Sequence, residues 1–215
     1  MSAIFSKTFD AKLRLGLGLA VVGLGIVGAA AGYFLHPNQF DTGYVPAQPV
    51  PYSHKIHAGN IGMDCRYCHS TVERAGYSAI PATEVCMNCH FRVKSQSPLL
   101  QKVRDSYASG EPIQWVKVHR LPDYVYFNHQ VHVSAGVSCV SCHGRVDQMT
   151  EIMQVKPLSM AWCLDCHRNP APNIRPAEYV TRLDWQPEGD PAELGWKLII
   201  AKGIHPREHC SACHR

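Results

Sequence analysis

The chain has 215 residues, enough for one ordinary domain, but it carries 15 prolines, 16 glycines and only 9% aromatic residues. Sustained helical or strand periodicity is scarce, so a conventional hydrophobic core is not expected. The formal charge of +4 is modest, and we expect no nucleic-acid partner.

The first predicted element is an apolar helix. Residues 15–35 carry no charge and are long enough to cross a bilayer. Lys7, Lys12 and Arg14 precede them, and the positive-inside rule keeps these cations in the cytoplasm. We expect residues 1–36 to form a cytoplasmic N-terminus and a single anchor in a bacterial cytoplasmic membrane, with the rest in the periplasm. The alternative is a cleaved signal peptide, ending at Ala29 to Ala31.

This segment is rich in glycine. Gly28 and Gly32 form a Gly-x-x-x-Gly pair, which allows another membrane helix to approach closely. A neighbouring membrane subunit is therefore expected, and a solitary anchor facing lipid is the alternative.

All ten cysteines follow a proline-containing linker over residues 37–52, and they form five copies of Cys-x-x-Cys-His. The cysteines are Cys65, Cys68, Cys86, Cys89, Cys139, Cys142, Cys163, Cys166, Cys210 and Cys213. The histidines that follow them are His69, His90, His143, His167 and His214. Each copy predicts covalent attachment of a c-type haem, with two thioethers and the histidine as an iron ligand.

Zinc knuckles and a disulfide framework are the alternatives. Zinc requires two Cys-x-x-Cys pairs for each metal, so five pairs leave one over. Neither alternative needs a histidine directly after every second cysteine. The sequence therefore predicts five covalently bound haem c groups.

Five haems leave roughly 36 residues of the exported part for each, too few to bury them in an ordinary core. We expect the haems to be the core, in a mainly α fold with extensive irregular coil and one N-terminal transmembrane helix. Folding should then depend on cofactor attachment.

The exported part, residues 53–215, contains an internal duplication. A His-x-x-His segment precedes Cys65 and another precedes Cys139, and a second motif follows each. We divide this part into two dihaem modules, residues 53–114 and 115–172, and a fifth-haem segment, residues 173–215. Helices are predicted to begin at Ser97 and Asp190 and to end at Gly110 and Gly203.

The sixth iron ligands are sought among the remaining histidines. His54 and His129 lie at equivalent positions before the first and third motifs, so we expect them to ligate those haems. His57 and His132 follow three residues later and are expected to ligate neighbouring haems.

Met153 lies ten residues before Cys163 and is predicted as the ligand of the fourth haem, with Met149 as a competitor. In the rival arrangement His132 ligates this haem, and a methionine, His119 or His205 ligates the fifth. His119 is a further candidate metal ligand. His36 and His209 are assigned solvent-facing or capping roles, and Met87 and Met160 packing roles.

The His-x-x-His and Cys-x-x-Cys-His module resembles the class III multihaem cytochromes. The string from Trp115 to Cys139 and the segment from Met160 to Arg168 are similar to the pentahaem subunit of alternative complex III. This resemblance implies an electron-transfer subunit of a quinol-oxidising respiratory complex, without a catalytic site of its own. It implies iron–sulfur and polytopic quinol-binding subunits as partners, and a soluble cytochrome or terminal oxidase as acceptor.

Three other functions are considered. A stand-alone quinol dehydrogenase that feeds a periplasmic reductase would need a weakly ligated haem near the membrane, and the many histidines argue against this. A multihaem reductase is disfavoured because every motif ends in histidine. A haem-bearing assembly scaffold is the third alternative. We expect no C-terminal extension beyond Arg215 to cover the fifth site.

Overall fold

The computed structural model describes residues 6–36 and 41–214. Residues 1–5 of the predicted cytoplasmic end, residues 37–40 of the predicted linker and Arg215 lie outside this description. Within the described residues the chain has helices and two isolated β-bridges but no strands, joined by irregular segments. The predicted fold class, mainly α with much coil, is confirmed. The chain divides into two compact units, one ending at Asp41 and one beginning at Thr42.

The first unit is dominated by helix α1, Lys7–Phe34. Ser6 begins this helix, since its hydroxyl accepts a hydrogen bond from the Phe9 amide at 3.2 Å. The helix has 28 residues, a mean hydropathy of 2.1 over its most apolar window, and no buried residue. It is long and apolar enough to cross a membrane. A single such helix near an N-terminus fits an anchor and a signal sequence alike.

The second unit is built from short helices. Its α-helices within the described residues are α2 Cys65–Cys68, α3 Thr83–His90, α4 Gln101–Ser109, α5 His129–Ala135, α6 Cys139–His143, α7 Met160–Arg168 and α8 Pro191–Lys202. A π-helical turn covers Lys55–Asn60. The 3-10 turns are Pro98–Leu100, Val146–Gln148, Ala171–Asn173, Ala177–Tyr179 and Cys210–Ala212. Four of these α-helices, α2, α3, α6 and α7, contain the cysteines of a Cys-x-x-Cys-His motif.

Both predicted helices outside the motifs are present. Pro98 starts a 3-10 turn that continues into α4, and Gly110 ends α4 with a φ of 76°. Asp190 begins α8 by accepting a hydrogen bond from the Ala192 amide, and Gly203 ends it with a φ of 61°. Glycine adopts this left-handed conformation without the steric cost of a side chain.

The polypeptide has a small apolar core. Its cluster of buried residues consists of Ala171, Ile174 and Ile199, which join α8 to the 3-10 turn Ala171–Asn173. Gly195 faces this turn so closely that a Cβ there would overlap the carbonyl oxygen of Ala171. So few buried apolar residues agree with an exported part whose core is its cofactors.

The predicted linker is hydrogen-bonded to the rest of the second unit from residue 42 onward. Gly43 N donates to Gln154 O at 2.7 Å, and Gln154 N donates to Tyr44 O at 3.1 Å. The Gln48 side chain pairs with the backbone of Val116, donating to its oxygen at 2.9 Å and accepting from its nitrogen at 3.0 Å. This segment is therefore part of the compact unit.

Candidate haem-binding sites

The motif helices orient the cysteines. Helices α2 and α6 begin at the first cysteine of a motif, and α3 and α7 end at the motif histidine or one residue beyond. Three of these helices start at a side chain that accepts a backbone hydrogen bond; these residues are Asp64, Ser138 and Ser159. Residues three apart in a helix lie on one face, so the two thiols of a motif point to the same side. Each motif can therefore hold one porphyrin by two bonds.

Four of the five motif histidines face a second imidazole. The facing pairs, with their centroid distances and interplanar angles, are His54–His69 (6.4 Å, 1°), His57–His90 (6.1 Å, 64°), His129–His143 (6.4 Å, 8°) and His132–His167 (6.0 Å, 45°). The second members come from the two His-x-x-His segments. The first and third pairs are nearly parallel and the second and fourth are inclined, so the ring geometry repeats with the duplicated modules.

These distances suit a metal ion between the rings. A bond from a metal to an imidazole nitrogen is about 2.0–2.1 Å, so two such bonds and the two ring radii require centroids roughly 6–6.5 Å apart. All four pairs fall in this range. The residues present therefore fit a haem iron with two axial histidines, and the adjacent thiols fit its covalent attachment.

Hydrogen bonds decide which ring nitrogen is left for iron. Seven of these imidazoles place Nδ1 beside a backbone carbonyl. The pairs are His57–Ser53 (2.9 Å), His69–Ala79 (3.0 Å), His90–Val93 (2.9 Å), His129–Gly76 (3.1 Å), His132–Asn128 (2.7 Å), His167–Arg207 (2.7 Å) and His214–Tyr124 (3.2 Å). A carbonyl only accepts, so Nδ1 carries the proton and Nε2 has the free lone pair that binds metal.

Two histidines depart from this pattern. The Nδ1 atom of His143 lies 3.2 Å from Nε2 of His119 instead of a carbonyl. The Nδ1 atom of His54 is buried and has no hydrogen-bond partner among the described residues. The structure thus places Nε2 of His119 beside Nδ1 of His143.

Burial favours the neutral form of four of the facing imidazoles, His54, His129, His132 and His143. It is the main cause that lowers the pKa of His54 to about 4 and the pKa of His143 to about 3, and neighbouring histidines lower both further. Burial also lowers the pKa of His129 and of His132. Neutral imidazole is the form that ligates metal ions, so these rings are ready for coordination.

At the fourth motif the geometry favours the rival arrangement. The ring that faces His167 belongs to His132, whereas the ten-residue spacing points to Met153. His132 reaches this position because it lies three residues after His129 in α5, and its Nδ1 is bound to the carbonyl of Asn128. We therefore assign His132, in place of Met153, to the fourth site in the proposal below.

The fifth motif is held differently. Its cysteines lie at a 3-10 turn, and His214 forms a β-bridge with Val125. The Tyr126 amide donates to Cys213 O at 2.8 Å, and the ring contact of His214 is with Tyr124, at 5.7 Å. Residues that precede the third motif therefore position the fifth. His205 and the methionines stay sequence-based candidates for the sixth ligand here.

Thiol contacts connect the motifs. Cys65 and Cys139 share a hydrogen bond, which lowers the pKa of Cys65 and raises the pKa of Cys139. Burial raises the pKa of Cys68, Cys142 and Cys163, and the charge of a neighbouring cysteine raises each further. Cys86 acts on Cys68, Cys166 and Cys163 act on Cys142, and Cys213 acts on Cys163. The first motif is thus next to the second and third, the third next to the fourth, and the fourth next to the fifth.

The segment Val180 to Thr181 connects the first and third motifs. Thr181 Oγ1 donates to Asp64 Oδ2 at 2.8 Å, and the Cys65 thiol lies 3.9 Å from Thr181 O. Ser138 Oγ donates to Val180 O at 2.9 Å. Residues of the predicted fifth-haem segment therefore hold the two dihaem modules together.

Comparison with known proteins shows which family part of this chain is similar to. Residues 125–215 match the family model described as cytochrome c7 and related cytochrome c. This segment contains the third, fourth and fifth motifs. It is similar to the cytochromes c of that family, a class of protein that binds haem c covalently and transfers electrons.

One relative shares part of the chain. The chain is 35% identical over 97 residues to the "Menaquinone reductase, multiheme cytochrome c subunit" of Nitratidesulfovibrio vulgaris Hildenborough. The alignment covers 45% of this chain and 45% of that relative. The chain therefore spans less than half of the length of that relative.

Sequence reasoning did not find the groups behind the imidazoles. The carbonyls of residues such as Ala79, Val93 and Arg207 leave no signal, because every residue has a carbonyl. Thr181 likewise lies far along the chain from Asp64. His119 was predicted as a candidate metal ligand, for the fifth haem in the rival arrangement, and its place beside Nδ1 of His143 depends on the tertiary structure.

Proposed function

We propose that this chain carries five haem c groups and relays electrons between a quinone-reactive membrane partner and a periplasmic partner. When bound, each haem iron alternates between the ferric and ferrous states and so carries one electron. The four opposed imidazole pairs are the observation that carries the proposal. Two histidines for each iron leave no open coordination position, which favours electron transfer over substrate chemistry at these sites.

The proposed ligand sets follow from these pairs. His54 with His69, His57 with His90, His129 with His143, and His132 with His167 would hold the first four irons, and His214 one side of the fifth. The chain's part is to orient these rings and exclude water, and burial favours the neutral form of those rings whose pKa it lowers, namely His54, His129, His132 and His143. Ligand type and burial set the potentials.

We propose that the path runs second, first, third, fourth, fifth, which differs from the order along the chain. His54 and His57 are three residues apart and serve the first and second sites. His129 and His132 do the same for the third and fourth. The hydrogen bond between Cys65 and Cys139 supports the step between the modules, and the electrostatic influence of Cys213 on Cys163 supports the last step. The second and fifth sites would be the ends where partners exchange electrons.

The membrane assignment is also proposed. Helix α1 would be retained as an anchor, with Lys7, Lys12 and Arg14 in the cytoplasm and the second unit in the periplasm. Iron–sulfur and polytopic quinone-binding subunits are the partners that the resemblance to alternative complex III implies. That the relative is named as a subunit of a menaquinone reductase supports a respiratory assembly.

The direction of electron flow has two candidates. The resemblance implies quinol oxidation, with electrons leaving to a soluble cytochrome or terminal oxidase. The name of the relative favours quinone reduction, with electrons entering from a periplasmic donor. In both, this chain makes the same connection.

Purification from membranes tests the proposal. The full-length chain, tagged at its C-terminus, is extracted in mild detergent and its partners are identified by mass spectrometry. We expect iron–sulfur and polytopic subunits, and we expect quinol to reduce the haems in the complex but not in the separated chain. A chain that quinol reduces by itself would contradict the proposal and support the stand-alone dehydrogenase. Haem potentials above that of the quinone would favour quinol oxidation, and haem potentials below it would favour quinone reduction. Measured haem potentials therefore separate the two directions.

A further inference from the structure

The third site differs from the others in what supports its motif histidine. At the other four sites Nδ1 of the motif histidine lies 2.7–3.2 Å from a backbone carbonyl. At the third, Nδ1 of His143 lies 3.2 Å from Nε2 of His119, and the two rings are 4.3 Å apart and nearly perpendicular, at 78°. A side chain therefore takes the role that the backbone has elsewhere.

The hydrogen bond places His119 at Nδ1 of His143, so Nε2 of His143 is the nitrogen left for iron. The ring of His129, 6.4 Å away and nearly parallel to that of His143, is the proposed second ligand. His119 directs its own Nε2 toward Nδ1 of His143. An iron bound to Nε2 of His143 leaves Nδ1–H as the donor, so His119 Nε2 is the acceptor.

We propose that His119 is a positioning residue of the third haem site, accepting a hydrogen bond from His143 and so setting the orientation and donor strength of that ligand. This rests on the proposed haem at the third site. An imidazole nitrogen is a strong acceptor, and a hydrogen bond to the outer nitrogen of a ligand histidine raises its basicity. A more basic ligand stabilises ferric iron, so His119 lowers the potential of the third haem.

The fold holds His119 in place from both sides. Three residues earlier, Val116 is held by two hydrogen bonds to the Gln48 side chain. One residue later, the guanidinium of Arg120 lies 5.8 Å from the ring centre of Tyr44. The segment that enters the second unit thus supports the loop that presents His119. With the hydrogen bond in place, the rings of His143 and His129 are held 8° from parallel.

The role matters because of where the third site lies. In the proposed order it is the middle position, next to the first and the fourth. Every electron that crosses between the modules passes it. By lowering the potential of the third haem, His119 would change the free energy of electron transfer between the two modules.

The test compares His119→Leu with His119→Gln in the full-length holo-protein. Leucine removes the acceptor, and glutamine replaces it with an amide oxygen. We expect both variants to keep five low-spin haems. In the leucine variant the ferrous form of the third haem should gain about tenfold in stability relative to ferric, a rise of about 59 mV for one electron. The glutamine variant should restore at least half of this change. His209→Leu is the control, with an expected potential equal to that of wild type.

Three readouts decide the question. Redox titration gives the potential, paramagnetic NMR of the His143 ring identifies the third haem, and electron paramagnetic resonance reports the spin state. A high-spin haem in the leucine variant would make His119 an iron ligand and overturn the proposal. Unchanged potentials in the leucine variant would overturn it too. If leucine prevents haem attachment at this site, the glutamine variant decides: five low-spin haems support the acceptor role, and loss of the haem there contradicts it.

Failure of this inference is distinguishable from failure of the proposed function. A quinol-reducible complex with unchanged third-site potential rejects the role of His119 alone. Absence of a haem at the third motif of the wild-type protein rejects the proposed ligand sets and the inference together.

Discussion

Hydrogen bonds at Nδ1 set the tautomer and the orientation of seven imidazoles in the second unit. A backbone carbonyl beside Nδ1 fixes the tautomer and leaves Nε2 with a free lone pair, in motif histidines such as His69 and in histidines that face them such as His57. Hydrogen bonds to ligand histidines of this kind also orient the ring. Much of the second unit's irregular backbone therefore has a definable role, which is to present carbonyls at these positions.

Substitutions at the fourth site distinguish between His132 and Met153 as its second ligand. His132→Ala should convert one low-spin haem to high spin, because the ring facing His167 is removed while both thioethers and His167 stay. Met153→Leu should leave the spin states and the potentials unchanged. Electron paramagnetic resonance and a redox titration of both variants give the answer. A high-spin haem in Met153→Leu, with none in His132→Ala, would return the assignment to Met153.

At the level of elements, capping hydrogen bonds at the helix termini and a few tertiary contacts stabilise the short helices. Helix α2 has four residues and depends on Asp64, which accepts from the Arg66 amide at 2.8 Å and from Thr181. An isolated helix of this length is unstable in water, so such contacts decide whether it forms. The Arg66 guanidinium is the main cause that lowers the pKa of Asp64 to about 2. The cap therefore stays charged across the physiological range.

The contact of α8 with the 3-10 turn Ala171–Asn173 predicts an unusual glycine effect. Gly195→Ala should destabilise the holo-protein by about 1–3 kcal/mol, because the added Cβ overlaps the carbonyl of Ala171. Helix propensity alone would give the opposite sign. Guanidinium unfolding, followed by circular dichroism, measures the change.

Ala201→Gly in the same helix is the matched control. Ala201 is exposed, so this change should cost only about 0.5–1 kcal/mol, the propensity difference. A Gly195→Ala protein at least as stable as wild type would show that α8 can move away from the turn.

For the whole molecule, cofactor attachment is expected to supply what the small apolar core does not. Purified holo-protein should carry five covalent haems, since each of the five motifs is complete. A pyridine haemochrome assay combined with protein quantification measures the ratio. Four haems or fewer would contradict the count. Expression without haem attachment should give a chain with little cooperative unfolding.

The proposed order of sites can be tested through neighbouring haems. His54→Met should raise the potential of the first haem, since a thioether ligand favours ferrous iron more than imidazole does. Charge interactions weaken with distance, so the apparent potentials of the second and third haems should shift more than those of the fourth and fifth. Redox titration followed by paramagnetic NMR resolves the five.

The matched variant His129→Met changes the third haem instead. Its neighbours in the proposed order are the first and fourth haems, which should then shift most. Equal shifts at all sites, in either variant, would mean that the order is wrong.

The sequence by itself determined the chemistry of attachment. Five copies of Cys-x-x-Cys-His, the apolar segment and the helix ends at Ser97 and Gly110 are local signals, because each depends on residues within a few positions of one another. The repeat also pointed to His54 and His129 through equivalent spacing. Such local patterns are readable because one helical turn or one terminus is enough to define them.

Tertiary structure alone decided the partners across the chain. The ring opposite His167 is that of His132, the support of His143 is His119, and Thr181 reaches Asp64, all pairs separated by more than twenty residues. Spacing in the sequence cannot rank these pairs, since irregular segments between short helices can bring many residues equally near. Tertiary packing selects which of them meet, and the proposed ligands and order of the sites rest on that selection.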